Sequence, residues 1–207
     1  MNHVTTQKTH WEDVYASKAS DMVSWYTPHL DISLQLVESL NLSKSDPIID
    51  IGGGASTLMD DLVMQGYSDL TALDISGQAL EIVRSRIGHD VPIEWIEGNI
   101  LTTPLETDHY RLWHDRAVFH FLTEEPDRVR YVEKVRQSLV KHGHVIMATF
   151  SQEGPLKCSG LDIVRYSDKT LHQQFGSEFR LISASYDTHI TPAGNEQKFV
   201  YAVFQKK

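Results

Sequence analysis

Three observations predict an α/β fold whose parallel sheet is finished by an antiparallel strand. Short apolar runs alternate with helix-length amphipathic stretches between residues 47 and 150. Three consecutive glycines, Gly52, Gly53 and Gly54, close the first apolar run. Two β-rich segments at the C-terminus are joined by a short turn, which obliges them to pair antiparallel.

The elements follow in order. Residues 1–10 are polar and are expected to fray. From Asp31, the positions Ile32, Leu36, Val37 and Leu40 share one helical face, with Pro28 upstream. "PIIDIG" reads as a short buried strand, followed by a helix from Ser56 to Gln65 that stops at Gly66. "LTALDI" is the second strand, and a helix with Leu80, Val83 and Ile87 on one face follows it. "PIEWIEG" and "YRLWHD" are the third and fourth strands. Val132, Val135 and Leu139 mark a helix opened near Pro126 and closed before Gly143, and "HVIMATF" is the fifth strand. Crossovers of this length are right-handed and give a parallel sheet. The rhythm then breaks: a short helix over 167–175 precedes "FRLISASYDTHI" and "KFVYAVFQ", joined through Pro192, Gly194 and Asn195.

With 207 residues, 41% hydrophobic and 23% charged, the chain suffices for one core. The expectation is a single domain over 1–207, with an N-terminal lid and helix (1–45), a ligand-binding core (46–150) and a loop with the terminal hairpin (151–207). A net charge of −9 argues against nucleic acid as a partner. The basic groups Arg128, Arg130, Lys134 and Arg136 alternate with acids and read as a solvated helix face. One cysteine, Cys158, excludes an internal disulfide and suits a reducing compartment. No stretch approaches a membrane span of about 18 apolar residues, and "MNHVTTQKTHWEDVY" lacks the apolar core of a signal peptide. A cytoplasmic protein without membrane association and without a metal is expected.

In an open α/β sheet, ligands bind beyond the carboxyl ends of the strands. The glycine triplet sits at that end of the first strand, and Asp74 ends the second, twenty residues after Gly54. That spacing lets a carboxylate accept hydrogen bonds from a ribose diol. A dinucleotide turn needs a glycine where this chain has Thr57, and a P-loop needs a lysine, absent between Ser45 and Ser85. Both phosphate-binding solutions are thereby disfavoured. A nucleoside without phosphates remains, of which S-adenosylmethionine is the common one.

"DIGGGAS" followed by "LDIS" and "EGNI" resembles the class I S-adenosylmethionine-dependent methyltransferases over nearly the whole chain. The small-thiol, thiopurine-type and type 12 members are the nearest in pattern. The resemblance implies a Rossmann-like seven-stranded sheet of order 3-2-1-4-5-7-6, last strand antiparallel, with helices on both faces and an N-terminal helical lid. It implies that Asp50 and Gly52, Gly53 and Gly54 surround the methionine moiety, that Asp74 holds the ribose, and that Ile75 packs on the adenine. Asn99 and Ile100 would hold the adenine edge, and His114 and Asp115 would line the methyl-transfer site. Two positions depart from the family pattern. Ser56 replaces a glycine and can cap the next helix, and Asn99 replaces an acid while keeping an acceptor carbonyl.

The acceptor side is expected at "LWHDRAVFHFL", where His114, Asp115, Arg116 and His120 are the candidate catalytic groups. A structural pairing is the competing reading for Arg116, and a solvated or packed histidine for each imidazole. The long connection over 151–167 is a candidate binding loop carrying Cys158, Arg165 and Tyr166. The terminal hairpin is expected to bring His189 and Gln197 to the same end. Trp11, Tyr15, Trp25 and Tyr26 form an N-terminal aromatic set whose spacing resembles the lids of small-thiol and thiopurine methyltransferases, and of some lysine methyltransferases. By that likeness Trp25 covers the cofactor, while Trp11 and Tyr26 reach the acceptor.

Three functions are compatible with these residues. The first is methyl transfer to a small nucleophile, with a thiol or sulfide sulfur favoured by the lid and by the absence of an Asn/Asp-Pro-Pro-Tyr amine motif after strand four. The second is protein-lysine N-methylation, and the third a non-catalytic adenosine-ligand binder.

Overall fold

The computed structural model describes residues 3–17 and 19–207, so the expectation for Met1 and Asn2 lies outside the described residues. The chain opens with α1 (His3–Ser17), followed by a short 3₁₀ turn and α2 (Asp31–Ser39). Then come β1 (Ile48–Ile51), α3 (Leu58–Met64), β2 (Leu70–Asp74), α4 (Gly77–Ile87) and β3 (Ile93–Glu97). They are followed by β4 (Tyr110–Arg116), a second 3₁₀ turn, α5 (Glu125–Ser138) and β5 (Leu139–Phe150). The tail holds β6 (Lys157–Cys158), β7 (Leu161–Asp162), α6 (Asp168–Phe175), β8 (Phe179–Ile190) and β9 (Glu196–Lys206).

Seven strands form one sheet in the order β3-β2-β1-β4-β5-β9-β8. Without the two-residue strands β6 and β7, this is the 3-2-1-4-5-7-6 order the sequence implies. The first five strands are mutually parallel, and β9 runs antiparallel between β5 and β8. β1 is buried on both faces, as a central parallel strand must be. Ile48 packs with Leu112 and Ile146 under α2, α3 and α4, whereas Ile49 packs with Trp113, Val145 and Met147 under α5 and α6.

Local signals set several boundaries. Ser76 caps α4 by accepting from the Ala79 amide (3.1 Å), and Ser167 with Thr170 forms a capping box on α6. Ser56 Oγ accepts from the Leu58 amide (3.2 Å) although Thr57 occupies the cap position of α3.

Two expectations need correction. α5 does close before Gly143, at Ser138, but Leu139, expected on the helix, opens β5 instead: it pairs with Tyr110, and a bulge then shifts the β4–β5 register. The second concerns residues 3–10, which are helical rather than frayed. α1 is held by contacts from one face to the sheet's ligand end: Lys8 Nζ to Glu97, Glu12 Oε1 accepting from the Gly77 amide (3.0 Å), and Tyr15 Oη donating to the Gly54 carbonyl (3.4 Å). The connection after β5 also folds on itself, as β6 and β7 pair across Ser159 and Gly160, both at positive φ.

Candidate active site

The carboxyl ends of β1, β2 and β4 open into a cavity of about 380 Å³, within the range of roughly 300–1,000 Å³ usual for small-molecule sites. Its floor depends on glycine at two positions. Gly52 has φ +69°, and a β-carbon there would lie 2.2 Å from Val118 Cγ2. At Gly54 a β-carbon would lie 2.3 Å from Ala79 Cβ and 2.7 Å from Asp74 Oδ2. Absence of that carbon lets Asp74 accept from the Gly54 amide (3.0 Å) and from the Ser76 amide (2.9 Å). Burial pushes the Asp74 carboxyl up to about 6 against these two hydrogen bonds, which oppose the rise.

One end of the cavity is lined by Gly52, Asp74, Ile75, Asn99, Ile100 and Leu101. The side-chain oxygen Oδ1 of Asn99 accepts from the Leu101 amide (2.8 Å), so it closes its own turn. Apolar walls, a glycine floor and a carboxylate at the end of β2 fit a nucleoside. The other end carries Arg116, Phe150, Cys158, Gln197 and Phe199. Trp11, Tyr15 and Trp25 also line the cavity, packed edge to face with Trp11 and Trp25 ring centres 5.7 Å apart and Tyr15 and Trp25 5.9 Å apart. Burial, with Asp74 nearby, holds the Tyr15 phenol well above its ordinary value.

Arg116 is the last residue of β4, paired with Ala148, and lines the cavity. It donates to the Trp25 carbonyl (3.0 Å) and to Tyr201 Oη (3.2 Å), and its guanidinium lies 4.9 Å from the Phe199 ring centre. Burial pushes the Cys158 thiol up to about 11, so it is a neutral wall of the cavity.

Several residues expected at the site lie elsewhere. His114 points to the α2 face, its Nδ1 donating to Asp50 Oδ1 (2.6 Å) and its Nε2 meeting Ser33 Oγ (2.9 Å). Asp50, Gly54, Tyr26 and His114 line a separate void of about 30 Å³ behind the glycine turn, which Gly52 shares. Gly53 lines neither space, and a β-carbon there would lie 2.7 Å from Asp50 Oδ2. Asp115 is fully buried on the opposite face. It accepts from the Val118 amide (2.9 Å), the Phe119 amide (3.1 Å) and the Tyr131 hydroxyl, which in turn accepts from Trp113 Nε1 (2.9 Å). Its lone pairs are spent folding the 116–119 turn, where Ala117 has φ +73°. His120 is fully buried against Phe150, and burial pushes its imidazole down to about 3. Arg165 donates to the Gly154 carbonyl (3.1 Å), and Tyr166 packs on Phe119. His189 donates to the Ser24 carbonyl (2.9 Å), bracing the segment before Trp25 rather than lining the cavity.

Sequence reasoning missed Gln7, Phe121, Phe150 and Phe199 on the cavity wall. The alternation Gln197-Phe199-Tyr201 on one face of β9 is the signal that finds the last of these. Among the described residues, no cluster of three metal-ligating side chains occurs and no helix is long and apolar enough to cross a membrane.

Residues 48–143 match the family described as "Methyltransferase domain". No curated protein matches the chain significantly. Solved structures agree in fold. A S-adenosylmethionine-dependent methyltransferase from Anabaena variabilis superposes with a TM-score of 0.75 at 15% identity, covering 100% of this chain and 96% of its own. A protein described with the conversion of a disulfide bond into a thioacetal group during echinomycin biosynthesis gives 0.79 at 12%, covering 97% and 92%. The 1,6-didemethyltoxoflavin-N1-methyltransferase of Burkholderia thailandensis, with S-adenosylhomocysteine bound, gives 0.68 at 14%, covering 98% and 85%. Residues 48–143, which take in the glycine turn and the four strands around it, thus carry a methyltransferase domain, and the full sheet order is that of the class I S-adenosylmethionine-dependent methyltransferase fold.

Proposed function

We propose that residues 1–207 act as one cytoplasmic catalytic domain that methylates a small thiol or sulfide. S-adenosylmethionine supplies an electrophilic methyl group that leaves its sulfonium as the acceptor sulfur forms the new bond. Asp74 would hold the ribose, Ile75, Asn99, Ile100 and Leu101 the adenine, and Gly52 the methionine side. Trp25 and Tyr15 offer ring faces to a sulfonium.

One observation carries the acceptor assignment: among the described residues that line the cavity, Arg116 is the charged side chain beside Phe199, while Asp74 ends β2 and Glu124, Asp127 and Arg130 line it from the start of α5. His114, Asp115 and His120 are engaged elsewhere, and the carboxylates Glu124 and Asp127 line the cavity from the first turn of α5 at the surface. A lysine amine, with an ordinary pKa near ~10.4, must lose a proton before attack, and this end holds no group to take it. A thiol near ~8.5 is partly ionised in neutral solution, and a fixed guanidinium favours the thiolate further. Arg116 and the aromatic walls then align the acceptor and exclude water.

The test is incubation with methyl-labelled S-adenosylmethionine and hydrosulfide, methanethiol or larger thiols, beside a cell extract. Label in a volatile or extractable thioether is expected. Label confined to protein bands would instead establish a protein substrate.

A further inference from the structure

The amino ends of the parallel strands, at the pole opposite the cavity, gather cations that no carboxylate answers. His144 of β5 stands directly across from Gln205 of β9, and Gln205 from Arg180 of β8. Residues so paired share one face of a sheet. Arg180 donates to Gln205 Oε1 (2.7 Å), which fixes the orientation of that amide. Its nitrogen Nε2 then donates to the His142 carbonyl (3.3 Å) and to His144 Nε2 (3.1 Å). A neutral imidazole that accepts at Nε2 carries its proton on Nδ1. His144 Nδ1 is thus an N–H donor, and it is buried without a partner. Such a donor is costly to leave unpaired, and native proteins rarely do so. Burial, followed by the charges of Arg111 and Arg180, holds this imidazole below its ordinary value and so keeps it neutral.

Arg111 comes from the irregular start of β4, next to Leu112, which pairs with His144. Among the described residues its guanidinium makes no hydrogen bond, and neither Arg111 nor Arg180 pairs with a carboxylate. That is unexpected in a chain whose 28 acidic residues outnumber its 19 lysines and arginines. At the same pole, Lys206 does pair with Asp108 (3.0 Å) and Arg136 with Glu133 (2.6 Å). We propose that Arg111, Arg180 and His144 Nδ1 bind a phosphoryl oxyanion, either free phosphate or the phosphate of a small ester. Two guanidiniums and one N–H, brought from three strands, offer donors and no acceptor. A tetrahedral oxyanion has an oxygen for each, whereas the two coplanar oxygens of a carboxylate leave one group unmatched. The net charge of −9 disfavours a nucleic acid as the source of the phosphate. None of the three residues lines the cavity, so this site is separate from methyl transfer.

The test is calorimetry with inorganic phosphate, at an ionic strength held constant with sodium chloride. Saturable one-to-one binding is expected. It should weaken about tenfold in Arg111→Gln and in Arg180→Gln, and stay unchanged in Arg136→Gln, whose cation is already paired. Imidazole nitrogen NMR of the wild type supplies a readout that needs no variant: phosphate should move the His144 Nδ1 resonance more than that of any other histidine. Glycerol 3-phosphate separates the two sources. Tighter binding than phosphate assigns the site to an ester, and equal or weaker binding assigns it to the free ion. No saturable binding of either probe to the wild type would overturn the proposal, as would binding retained when Arg111→Gln and Arg180→Gln are combined. Phosphate binding that leaves the His144 resonance unmoved would remove the imidazole from the site and overturn the proposal as stated.

Discussion

Substituting Gly52 by alanine tests how the floor of the cavity is built. The new β-carbon would sit 2.2 Å from Val118 Cγ2, and the residue would have to hold φ +69°. The backbone contribution is about 1–2 kcal/mol, the usual cost of the left-handed region for a residue with a β-carbon. Steric overlap adds about 1–3 kcal/mol, because Val118 stands on a turn pinned by Asp115 and cannot move freely. Gly52→Ala should therefore lower Tm by roughly 10 °C, at about 2–4 °C per kcal/mol for a domain of this size. Val118→Ala removes Cγ2 and leaves the nearest side-chain atom, Val118 Cβ, at 3.6 Å, an ordinary contact. In the double variant only the backbone term should remain, giving a favourable coupling of about 1–3 kcal/mol. Urea unfolding of the four proteins in the cycle measures it. Strict additivity of the two substitutions would refute the claim that the Val118 contact makes glycine obligatory there.

Three further outcomes are expected. Asp74→Ala should weaken S-adenosylmethionine binding at least tenfold by calorimetry, with Asp74→Asn, which keeps one acceptor, losing less; unchanged affinity in both would exclude the ribose role. Arg116→Met should move the rising limb of the pH–rate profile for hydrosulfide about one pH unit upward, since the thiolate loses its cation; an unmoved limb would assign Arg116 to holding Trp25 alone. The third expectation concerns His120, whose pKa near 3 in the folded protein lies below the ordinary 6.5. Unfolded chains therefore take up this proton first as the pH falls. Wild-type stability relative to His120→Phe should be constant above pH 6.5 and decline below it by ~1.4 kcal/mol per pH unit. Parallel urea midpoints for the two proteins between pH 7.5 and 5 would show that this imidazole is not held neutral.

The sheet was legible in the sequence because each strand carries its own boundary: "IIDI" before three glycines, "LTALD" before a capping serine, and Pro192 with Gly194 between the last two. The meeting of Gly54 and Asp74 was legible for the same reason, and the Asp74 carboxylate accepts from the Gly54 amide. The surroundings of Arg116 were not. Along β4, His114 and Asp115 point to opposite faces, and both faces are covered, so of His114, Asp115, Arg116 and His120 only Arg116 lines the cavity. α1 was invisible for another reason. Its sequence has no strong apolar stripe, and its order comes from Lys8, Glu12 and Tyr15 reaching partners distant in the chain.

The Trp113–Tyr131–Asp115 chain makes the hydrophobic core on the α5 face a splint for the cavity. The turn bearing Val118, just after Arg116, takes its shape from groups that do not line it. A change as small as losing the Tyr131 hydroxyl would thus register first as slackness in ligand handling. For this enzyme, substitutions that a stability screen classes as interior repacking belong among the candidates for altered selectivity.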